Sequence, residues 1–291
     1  MHTLRGKKAL VTGAATGIGR AIAIGLAREG VHLYLVDVDD VSLESAARKA
    51  RSHGVEVVTR HCDVANSAHL AATVEAVLAH WGHLNILINN AGIADRCHTH
   101  EMHDGEWDRI VTVNLLAPIA LTRMLLPTLL ANDAHLLNVC SIFGLTTTRK
   151  LAAYQTSKFG LVGFTAALRA EYGSPEFGVT AVCPGFVQTP LLKRIVDTRS
   201  RRVLVPPAWM VTTPEKVAAR ALDAIRKNKG IVVVTAFARI NWLVARLSPG
   251  LIDFLNRRPW RYWRNQRLRR PSDATAESMS VTPRGASPPR A

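Results

Sequence analysis

The segment KALVTGAATGIGRAIAIGLAREG, residues 8–30, joins a short apolar run to a glycine-rich turn and a helical pattern. Residues 8–12 have the composition of a buried strand, and the apolar spacing beyond the turn predicts a helix. Glycines permit a tight turn whose backbone can approach a pyrophosphate held at the helix N-terminus. The strand–turn–helix context therefore predicts a dinucleotide site. The residues of this turn that we expect to form the dinucleotide site are Gly13, Thr16, Gly17, Ile18 and Gly19.

The second strand, HLYLVDV (32–38), carries Asp37 near its end, eighteen residues after Gly19. A carboxylate at this point usually accepts hydrogen bonds from the adenosine ribose hydroxyls. It would repel a 2′-phosphate, and neither residues 14–16 nor residues 38–40 supply a compensating cation. We therefore predict NAD, with NADP less favoured. The alternative is that Asp37 is an ordinary turn residue at a strand end.

Strand-like and helical segments alternate along the chain as far as residue 235. Further strands are predicted at 55–64, 84–92, 134–144, 179–190 and 231–235, and helices at 41–53, 107–130 and 212–230. Thr212 or Thr213 is a plausible cap for the last helix, with Pro214 in its first position. The pattern predicts a single doubly wound α/β domain of the Rossmann type, with about seven mostly parallel strands.

The segment AAYQTSKFGLVGFTAALRAEY, residues 152–172, has apolar residues at helical spacing. Tyr154 and Lys158 are four residues apart and therefore share one face of this helix. An ammonium close to a phenol favours the phenolate, so we expect a lowered pKa for Tyr154. Such a tyrosine can donate or accept a proton near neutral pH. The alternative is a surface pair on an ordinary helix.

Two further polar residues stand at conspicuous positions. Ser141 ends the fifth predicted strand, thirteen residues before Tyr154, and Asn114 lies inside the helix predicted at 107–130 although asparagine is a mediocre helix former. Taken together, these pieces resemble the short-chain dehydrogenase/reductase family, in its TGxxxGxG branch, over about residues 6–238. The matching residues are Thr12 to Gly19, Asp63, Asn89 to Gly92, Asn114, Ser141, Tyr154, Lys158, Pro184, Gly185 and Thr189.

The resemblance implies reversible hydride transfer between NAD and a hydroxyl or carbonyl group. In this family pattern Tyr154 would be the general acid and base, and Ser141 would hold and polarise the substrate oxygen. Lys158 would lower the pKa of Tyr154 and hydrogen-bond the nicotinamide ribose. Asn114 would help to hold a water relay between Lys158 and solvent. The rival from another class is a non-catalytic dinucleotide-binding module that acts through its basic tail.

The same resemblance implies the rest of the cofactor site. Asp63 would reach the adenine, Asn90 would lie beside the cofactor, and Thr189 would hold the carboxamide. The other expected cofactor-binding residues are Val64, Ala91, Gly92, Pro184, Gly185 and Val187. One departure from the pattern is Cys140, which stands where relatives often carry a small polar residue. We interpret Cys140 as a small buried apolar residue.

Residues 190–211 lie where family members carry a substrate-covering lid. Four of its residues are expected to line a pocket, namely Leu191, Leu192, Ile195 and Val196, while the five basic residues Lys193, Arg194, Arg199, Arg201 and Arg202 face solvent. This mixture predicts a small hydrophobic alcohol or ketone as substrate, with lipid-like compounds, steroids and retinoids as examples.

The loop at 93–107 contains Cys97, His98, His100 and His103, whose side chains could ligate a metal. Their spacing matches no established metal site, so we predict no metal and a polar loop near the substrate. The chain's four cysteines include no CxxC pair and suggest reduced thiols in the cytoplasm. We expect no signal peptide, because the first predicted strand begins close to the N-terminus of the sequence, and we expect no apolar run to span a membrane.

Positive charge is concentrated at the C-terminus. Residues 239–291 hold 11 arginines and three acidic residues, a net charge of +8 out of +15 for the chain. We divide the chain into a catalytic domain (1–238), an amphipathic and basic extension (239–270) and a disordered tail (271–291). The extension could pack on the core or a dimer mate, or lie on an anionic membrane surface. Nucleic-acid binding is the least favoured alternative.

The resemblance also implies a homodimer or homotetramer built through the long helices. The expected location is the cytoplasm. If the extension binds lipid, the protein is also expected to contact a membrane.

Overall fold

A computed structural model describes residues 3–194 and 206–256 of the chain. The predicted lid residues Ile195 and Val196, the lid arginines beyond them, the basic stretch 257–270 and the predicted disordered tail 271–291 lie outside the described residues. The side chains of Lys193 and Arg194 are likewise not described.

The core of the fold is a parallel sheet whose strands alternate with helices. The strands are β1 (Lys8–Thr12), β2 (His32–Asp37), β3 (Val57–His61), β4 (Ile86–Asn89), β5 (Ala134–Val139), β6 (Phe177–Cys183), β7 (Phe186–Val187), β8 (Val211–Thr212) and β9 (Ile231–Val233). Seven of them form the sheet in the order β3-β2-β1-β4-β5-β6-β9, and β7 pairs separately with β8. This confirms the predicted Rossmann-type fold. The strand order reverses between β1 and β4, which is where such sheets bind ligands.

Helices cover both faces of the sheet. They are α1 (Gly17–Arg28), α2 (Asp40–Arg51), α3 (Ser67–Trp81), α4 (Asp104–Val111), α5 (Ala117–Leu130), α6 (Ala152–Tyr172), α7 (Pro190–Arg194), α8 (Pro214–Arg226), α9 (Ala236–Leu247) and α10 (Pro249–Asn256). Short 3₁₀ turns occupy Thr99–Glu101, Ile142–Gly144 and Ala208–Met210, and a π-helical turn occupies Thr112–Leu116. The Thr213 hydroxyl caps α8 by accepting from the Lys216 N–H at 3.4 Å.

Strand side chains alternate between two apolar layers, as the period of a β-strand requires. Ala9 and Val11 of β1 pack in the layer beneath α1 and α8, whereas Leu10 packs in the opposite layer beneath α3 and α5. All three side chains are fully buried. Burial on both faces explains why these strands are almost continuously apolar.

The predicted helix 107–130 begins earlier, at Asp104, and contains the π-helical turn in its middle. By length and composition alone, Asp104–Leu130 could cross a membrane, which corrects the expectation that no apolar run is long enough. In the structure it is a core helix, because it packs on α3 and α6 and contributes Leu121 and Leu125 to the buried apolar layer.

Helix α9 confirms the helical pattern predicted around residues 239–247. Its buried contacts come from Ala238 and the half-buried Trp242, whereas Ile240, Leu243 and Leu247 are 62 %, 51 % and 82 % exposed. The apolar face of α9 is therefore open to solvent in the described structure.

A compact unit ends at Ile252, and the domain boundaries at 238 and 270 stay predictions.

Candidate functional site

A cavity of about 430 Å³ opens at the carboxyl ends of the central strands. Nearly all the residues predicted from the sequence line it: Gly13, Thr16, Gly17, Ile18, Asp37, Asp63, Val64, Asn90, Ala91, Gly92, Ser141, Tyr154, Lys158, Pro184, Gly185, Val187 and Thr189. Gly19 and Asn114 are the two predicted residues that do not line it. The single fold thus gathers residues that are up to 176 positions apart in the chain.

Gly19 packs closely against the glycine-rich turn but does not line the cavity. A Cβ at this position would lie 2.1 Å from the Gly13 carbonyl oxygen and 2.4 Å from the Asn90 Nδ2, so no larger residue fits. Gly13 itself has a φ of +65°, a backbone conformation that favours glycine. Gly19 therefore contributes to the site by allowing the turn to close, and not by direct contact with a ligand.

The N-terminus of α1 faces the cavity with uncapped backbone donors. The N-cap residue Thr16 makes no side-chain capping bond, and the first turn contains no acidic residue. The first N–H groups of a helix have no intrahelical partner, so they attract an anion. Because Gly17 and Ile18 of this turn line the cavity, the residues present fit the pyrophosphate of a dinucleotide.

The Asp37 carboxylate is held in place by three backbone N–H groups. Its Oδ1 accepts from Val38 at 2.8 Å and Asp39 at 3.1 Å, and its Oδ2 accepts from Ala15 at 2.9 Å. These bonds join the end of β2 to the glycine-rich turn. They orient the carboxylate beside the turn, at the end of the cavity where a ribose would follow a pyrophosphate.

Asp63 lies at the same end of the cavity, beside a residue that the sequence did not single out. Its Oδ1 accepts from the Ala65 N–H at 3.0 Å, and its Oδ2 lies 3.8 Å from the Arg109 guanidinium. Arg109 belongs to α4 and also lines the cavity. No sequence motif marks it, because its proximity arises from the packing of α4 over the strand ends.

Tyr154, Ser141 and Lys158 meet at the other end of the cavity. The Ser141 and Tyr154 side chains both line the cavity and are buried, and the Ser141 hydroxyl accepts from the Phe143 N–H at 3.1 Å. The Lys158 Nζ lies 5.8 Å from the Tyr154 ring centroid and donates to the Val139 carbonyl at 2.9 Å. The shared helix face predicted from the spacing of four residues is confirmed.

The expected lowering of the Tyr154 pKa is wrong. Burial raises the pKa of Tyr154 to about 12, although the hydrogen bond from Ser141 acts in the opposite direction. Burial also lowers the pKa of Lys158, because removing an ammonium from water disfavours its charged form. Desolvation therefore sets the direction of both shifts, and Tyr154 is a protonated phenol at neutral pH.

Asn114 supports the site from the π-helical turn. Its side chain is fully buried, accepts from the Ile93 N–H at 2.8 Å and donates to the Ile93 carbonyl at 2.8 Å. It also donates to the Ser157 hydroxyl at 3.1 Å. These bonds join the loop after β4 to α6. Asn114 thus positions both walls of the cavity, and its predicted part in a water relay stays a prediction.

Apolar side chains surround the end of the cavity next to Tyr154. They are Ala94, Phe143, Leu151, Phe186, Leu191 and Leu192. Leu191 and Leu192 were predicted from the lid position, whereas the other four were missed. Phe143 and Phe186 pack edge to face, with ring centroids 5.9 Å apart. Both rings lie close in sequence to a predicted site residue, since Phe143 follows Ser141 by two positions and Phe186 directly follows Gly185. This nearness was a signal in the sequence, but only the fold shows which way the rings point.

Within residues 3–194 and 206–256, no three His, Cys, Asp or Glu side chains group as metal ligands do. In the loop considered for a metal, the rings of His98 and His100 stack with centroids 5.7 Å apart.

Comparisons with known proteins agree with this geometry. The family described as short chain dehydrogenase matches residues 7–200. The D-beta-hydroxybutyrate dehydrogenase of Cupriavidus necator is 30% identical over 247 residues, covering 79% of this chain and 96% of the relative.

Two solved structures share the fold. A short-chain dehydrogenase/reductase from Burkholderia phymatum in complex with NAD has a TM-score of 0.76 and 26% identity, covering 86% of this chain and 96% of its own. An actinorhodin polyketide ketoreductase with NADPH has a TM-score of 0.73 and 30% identity, covering 82% and 99%. The chain belongs to the short-chain dehydrogenase/reductase family and is an oxidoreductase with a Rossmann-type fold.

Packing behind Lys158 yields a stability prediction. A Cβ on Gly144 would lie 2.6 Å from the Lys158 carbonyl oxygen, whereas a Cβ on Gly163 meets nothing within 4 Å. We expect Gly144→Ala to destabilise the protein by about 1–3 kcal/mol through overpacking. Gly163→Ala is the matched control and should stabilise helix α6 by roughly 0.5–1 kcal/mol. Urea unfolding measures both changes, and a neutral Gly144→Ala would contradict the packing described here.

Proposed function

We propose that the protein transfers a hydride between NAD and a hydroxyl or carbonyl group of a hydrophobic substrate. The observation that carries this proposal is that the Ser141 and Tyr154 hydroxyls line one cavity together with Asp37. The pair lies between a polar end that fits a dinucleotide and an apolar end that fits the substrate. Bound NAD would supply the hydride acceptor, and NADH the donor.

The protein's own residues would manage the proton and the substrate oxygen. Ser141 would donate a hydrogen bond to that oxygen, where negative charge develops. Tyr154, protonated at neutral pH, would give its proton directly during carbonyl reduction. In alcohol oxidation Tyr154 must first lose that proton, so this direction is expected to speed up as pH rises towards its pKa of about 12. Lys158 would stabilise the phenolate.

Tyr154→Phe tests this assignment and separates it from the rival dinucleotide-binding module. The variant lacks the transferable proton but keeps the ring, so we expect turnover to fall by at least about a hundredfold, within the range ascribed to general acid–base catalysis. NAD affinity, measured by calorimetry, should stay within a few fold.

The matched control is Tyr172→Phe, which removes a hydroxyl from the far end of α6. If Tyr154→Phe turned over substrate as fast as wild type, Tyr154 could not be the general acid and base. A wild-type protein that binds NAD but turns over no alcohol, steroid, retinoid or hydroxyacyl compound would favour the binding module.

The cofactor preference is proposed from Asp37. Its oriented carboxylate can accept from ribose hydroxyls, and it would repel a 2′-phosphate. The two solved relatives were determined with NAD and with NADPH, so the family does not decide this preference.

Asp37→Ala should therefore shift the preference from NAD towards NADP. We expect the ratio of kcat/KM for NAD to that for NADP to fall by at least about tenfold, since a charged hydrogen bond contributes about 1.5–3 kcal/mol. Asp40→Ala is the control, because it removes the same charge from a residue outside the cavity lining. A wild-type preference for NADP, or an unchanged ratio in Asp37→Ala, would refute the Asp37 argument.

A hydrophobic substrate is proposed because apolar side chains line the Tyr154 end of the cavity. Phe143, Phe186 and Leu192 are uncharged, and among the described residues at this end only Lys158 carries an ionisable amine. Turnover with a panel of secondary alcohols, steroids, retinoids and long-chain hydroxyacyl compounds tests the substrate class.

A homodimer or homotetramer is proposed from apolar side chains left exposed on the long helices. Leu116, Met124, Phe159 and Tyr172 belong to the α4–α5 run and to α6, and each is more than a third exposed. A second copy of the chain could cover them. The proposed location is the cytoplasm, which is consistent with four buried free thiols.

We also propose that α9 contacts an anionic lipid surface. Ile240, Leu243 and Leu247 form its exposed apolar face. Residues 257–270, which follow closely in sequence, contain seven arginines, two tryptophans and no acidic residue. An apolar helix face followed along the chain by such a sequence suits the boundary between anionic headgroups and acyl chains.

The double variant Ile240→Ser/Leu243→Ser should weaken binding to phosphatidylserine-containing vesicles. We expect a loss of at least about tenfold, since burying one such side chain is worth about 1.5–3 kcal/mol. Val41→Ser is the control, because Val41 is an apolar residue on α2 that is even more exposed, at 84 %. Unchanged vesicle binding in the double variant, or a changed oligomeric state without vesicle binding, would refute the lipid proposal.

A further inference from the structure

Two cysteines lie directly opposite each other on neighbouring strands beneath the candidate active site. The register of β5 and β6 pairs Val139 with Val182, which places Cys140 opposite Cys183 at the next position. The Cys140 N–H donates to the Val182 carbonyl at 2.8 Å, and the Ile142 N–H donates to the Pro184 carbonyl at 2.8 Å. These two bonds hold the backbones of the pair side by side.

The two thiols are in contact and neither forms a disulfide. Both cysteines are buried and free, and the pKa of each thiol depends on the other. They pack in one apolar cluster with Ile142, Leu161 and Ala181. The sequence-based interpretation of Cys140 as a small buried residue is therefore confirmed for its burial, but its neighbour is a second thiol.

We propose that Cys140 and Cys183 form an oxidisable dithiol, which a small hydroperoxide converts into a disulfide that lowers the activity of the adjacent site. The proposal concerns the two thiols and their strands. It rests on the proposed function only where catalytic turnover is used as a readout.

The two thiols differ in access and in ionisation. Cys140 lines the cavity and can be reached from it, whereas Cys183 is not part of the cavity lining. Burial opposes ionisation of Cys140, but the hydrogen bond from Cys183 and the Lys158 ammonium together lower the pKa of the Cys140 thiol. The hydrogen bond with Cys140 and burial raise the pKa of Cys183 well above its ordinary value. Cys140 is therefore the attacking thiol and Cys183 the resolving one.

The chemistry balances with the hydroperoxide as the oxidant. The Cys140 thiolate attacks one peroxide oxygen, the O–O bond breaks, and an alcohol, or water from hydrogen peroxide, leaves with a proton. The resulting Cys140 sulfenic acid is attacked by the Cys183 sulfur, and water leaves with the Cys183 proton. Two thiols thus become one disulfide, and the hydroperoxide is reduced by two electrons.

Disulfide formation would disturb the site because the strands must move. Neighbouring strands lie about 4.8 Å apart, whereas the Cβ atoms of a disulfide are about 3.8 Å apart. Ser141 and Pro184 each directly follow one of the cysteines, so both would shift with the bond. A strained disulfide is also more easily reduced, so a dithiol reductant should reverse the change.

The experiment treats the full-length protein with hydrogen peroxide and then with dithiothreitol. Peptide mass spectrometry should find a Cys140–Cys183 crosslink that lacks two hydrogens. Turnover should fall by on the order of tenfold to a hundredfold, as expected for a displacement of about 1 Å in an active site. Dithiothreitol should restore both turnover and the free thiols.

Cys183→Ala is the test variant, and Cys183→Ser serves if the smaller side chain impairs folding. Without peroxide its turnover should stay within a few fold of wild type. With peroxide it should form no crosslink, and mass spectrometry should instead find Cys140 with one added oxygen, the sulfenic acid that has no second thiol to react with. Cys97→Ala is the control, because it removes another buried thiol and should behave as wild type does.

Three outcomes would overturn the proposal. They are the absence of the Cys140–Cys183 crosslink in oxidised wild type, a crosslink that leaves turnover intact, and a Cys183→Ala variant that peroxide inactivates as it does wild type but in which Cys140 gains no oxygen. Should the protein catalyse no measured reaction, the crosslink and its effect on NAD affinity still decide the question. Failure of the proposed function is therefore distinguishable from failure of the dithiol proposal.

Discussion

The hydrogen bonds between Thr12 and Asn90 are the constraint on which the site depends. The Thr12 hydroxyl accepts from the Asn90 N–H at 3.0 Å and the Ala91 N–H at 3.1 Å. The Asn90 side chain donates in return to the Thr12 and Gly13 carbonyls at 3.0 and 2.9 Å. These bonds tie the ends of β1 and β4 together where the strand order reverses. The glycine-rich turn, the Asp37 carboxylate and the loop held by Asn114 are all built from this junction.

Burial governs the chemistry at the opposite wall. It raises the pKa of Tyr154 and lowers the pKa of Lys158, whereas their spacing alone suggests a lowered pKa for Tyr154. It also places the Cys140 and Cys183 thiols in contact beneath the same wall. The proton chemistry and the proposed redox chemistry therefore depend on one desolvated region, in which Lys158 is the principal nearby cation. A change of charge at any one of these groups should therefore shift the pKa values of the others.

Most of the fold and much of the cavity lining could be predicted because they follow from patterns among residues that are close together in the sequence. The alternation of apolar strands and helices predicted the parallel sheet, and the glycine-rich turn, Asp37 and the Tyr154–Lys158 spacing predicted cavity residues. Arg109, Phe143 and Phe186 were missed because no local pattern distinguishes a side chain that points into a cavity from one that points into the core. The Tyr154 pKa was wrong for a related reason, since desolvation cannot be read from spacing.

The sequence by itself determined the class of fold, the strand–turn–helix unit at residues 8–30 and most of the polar residues that line the cavity. It could do so because backbone conformation and amphipathic periodicity are local properties. Only the tertiary structure decided that Asn114 holds the loop at Ile93, that aromatic rings line the substrate end, and that Cys140 faces Cys183. These are contacts between residues distant in the chain, and they exist only once the strands have paired and water has been excluded.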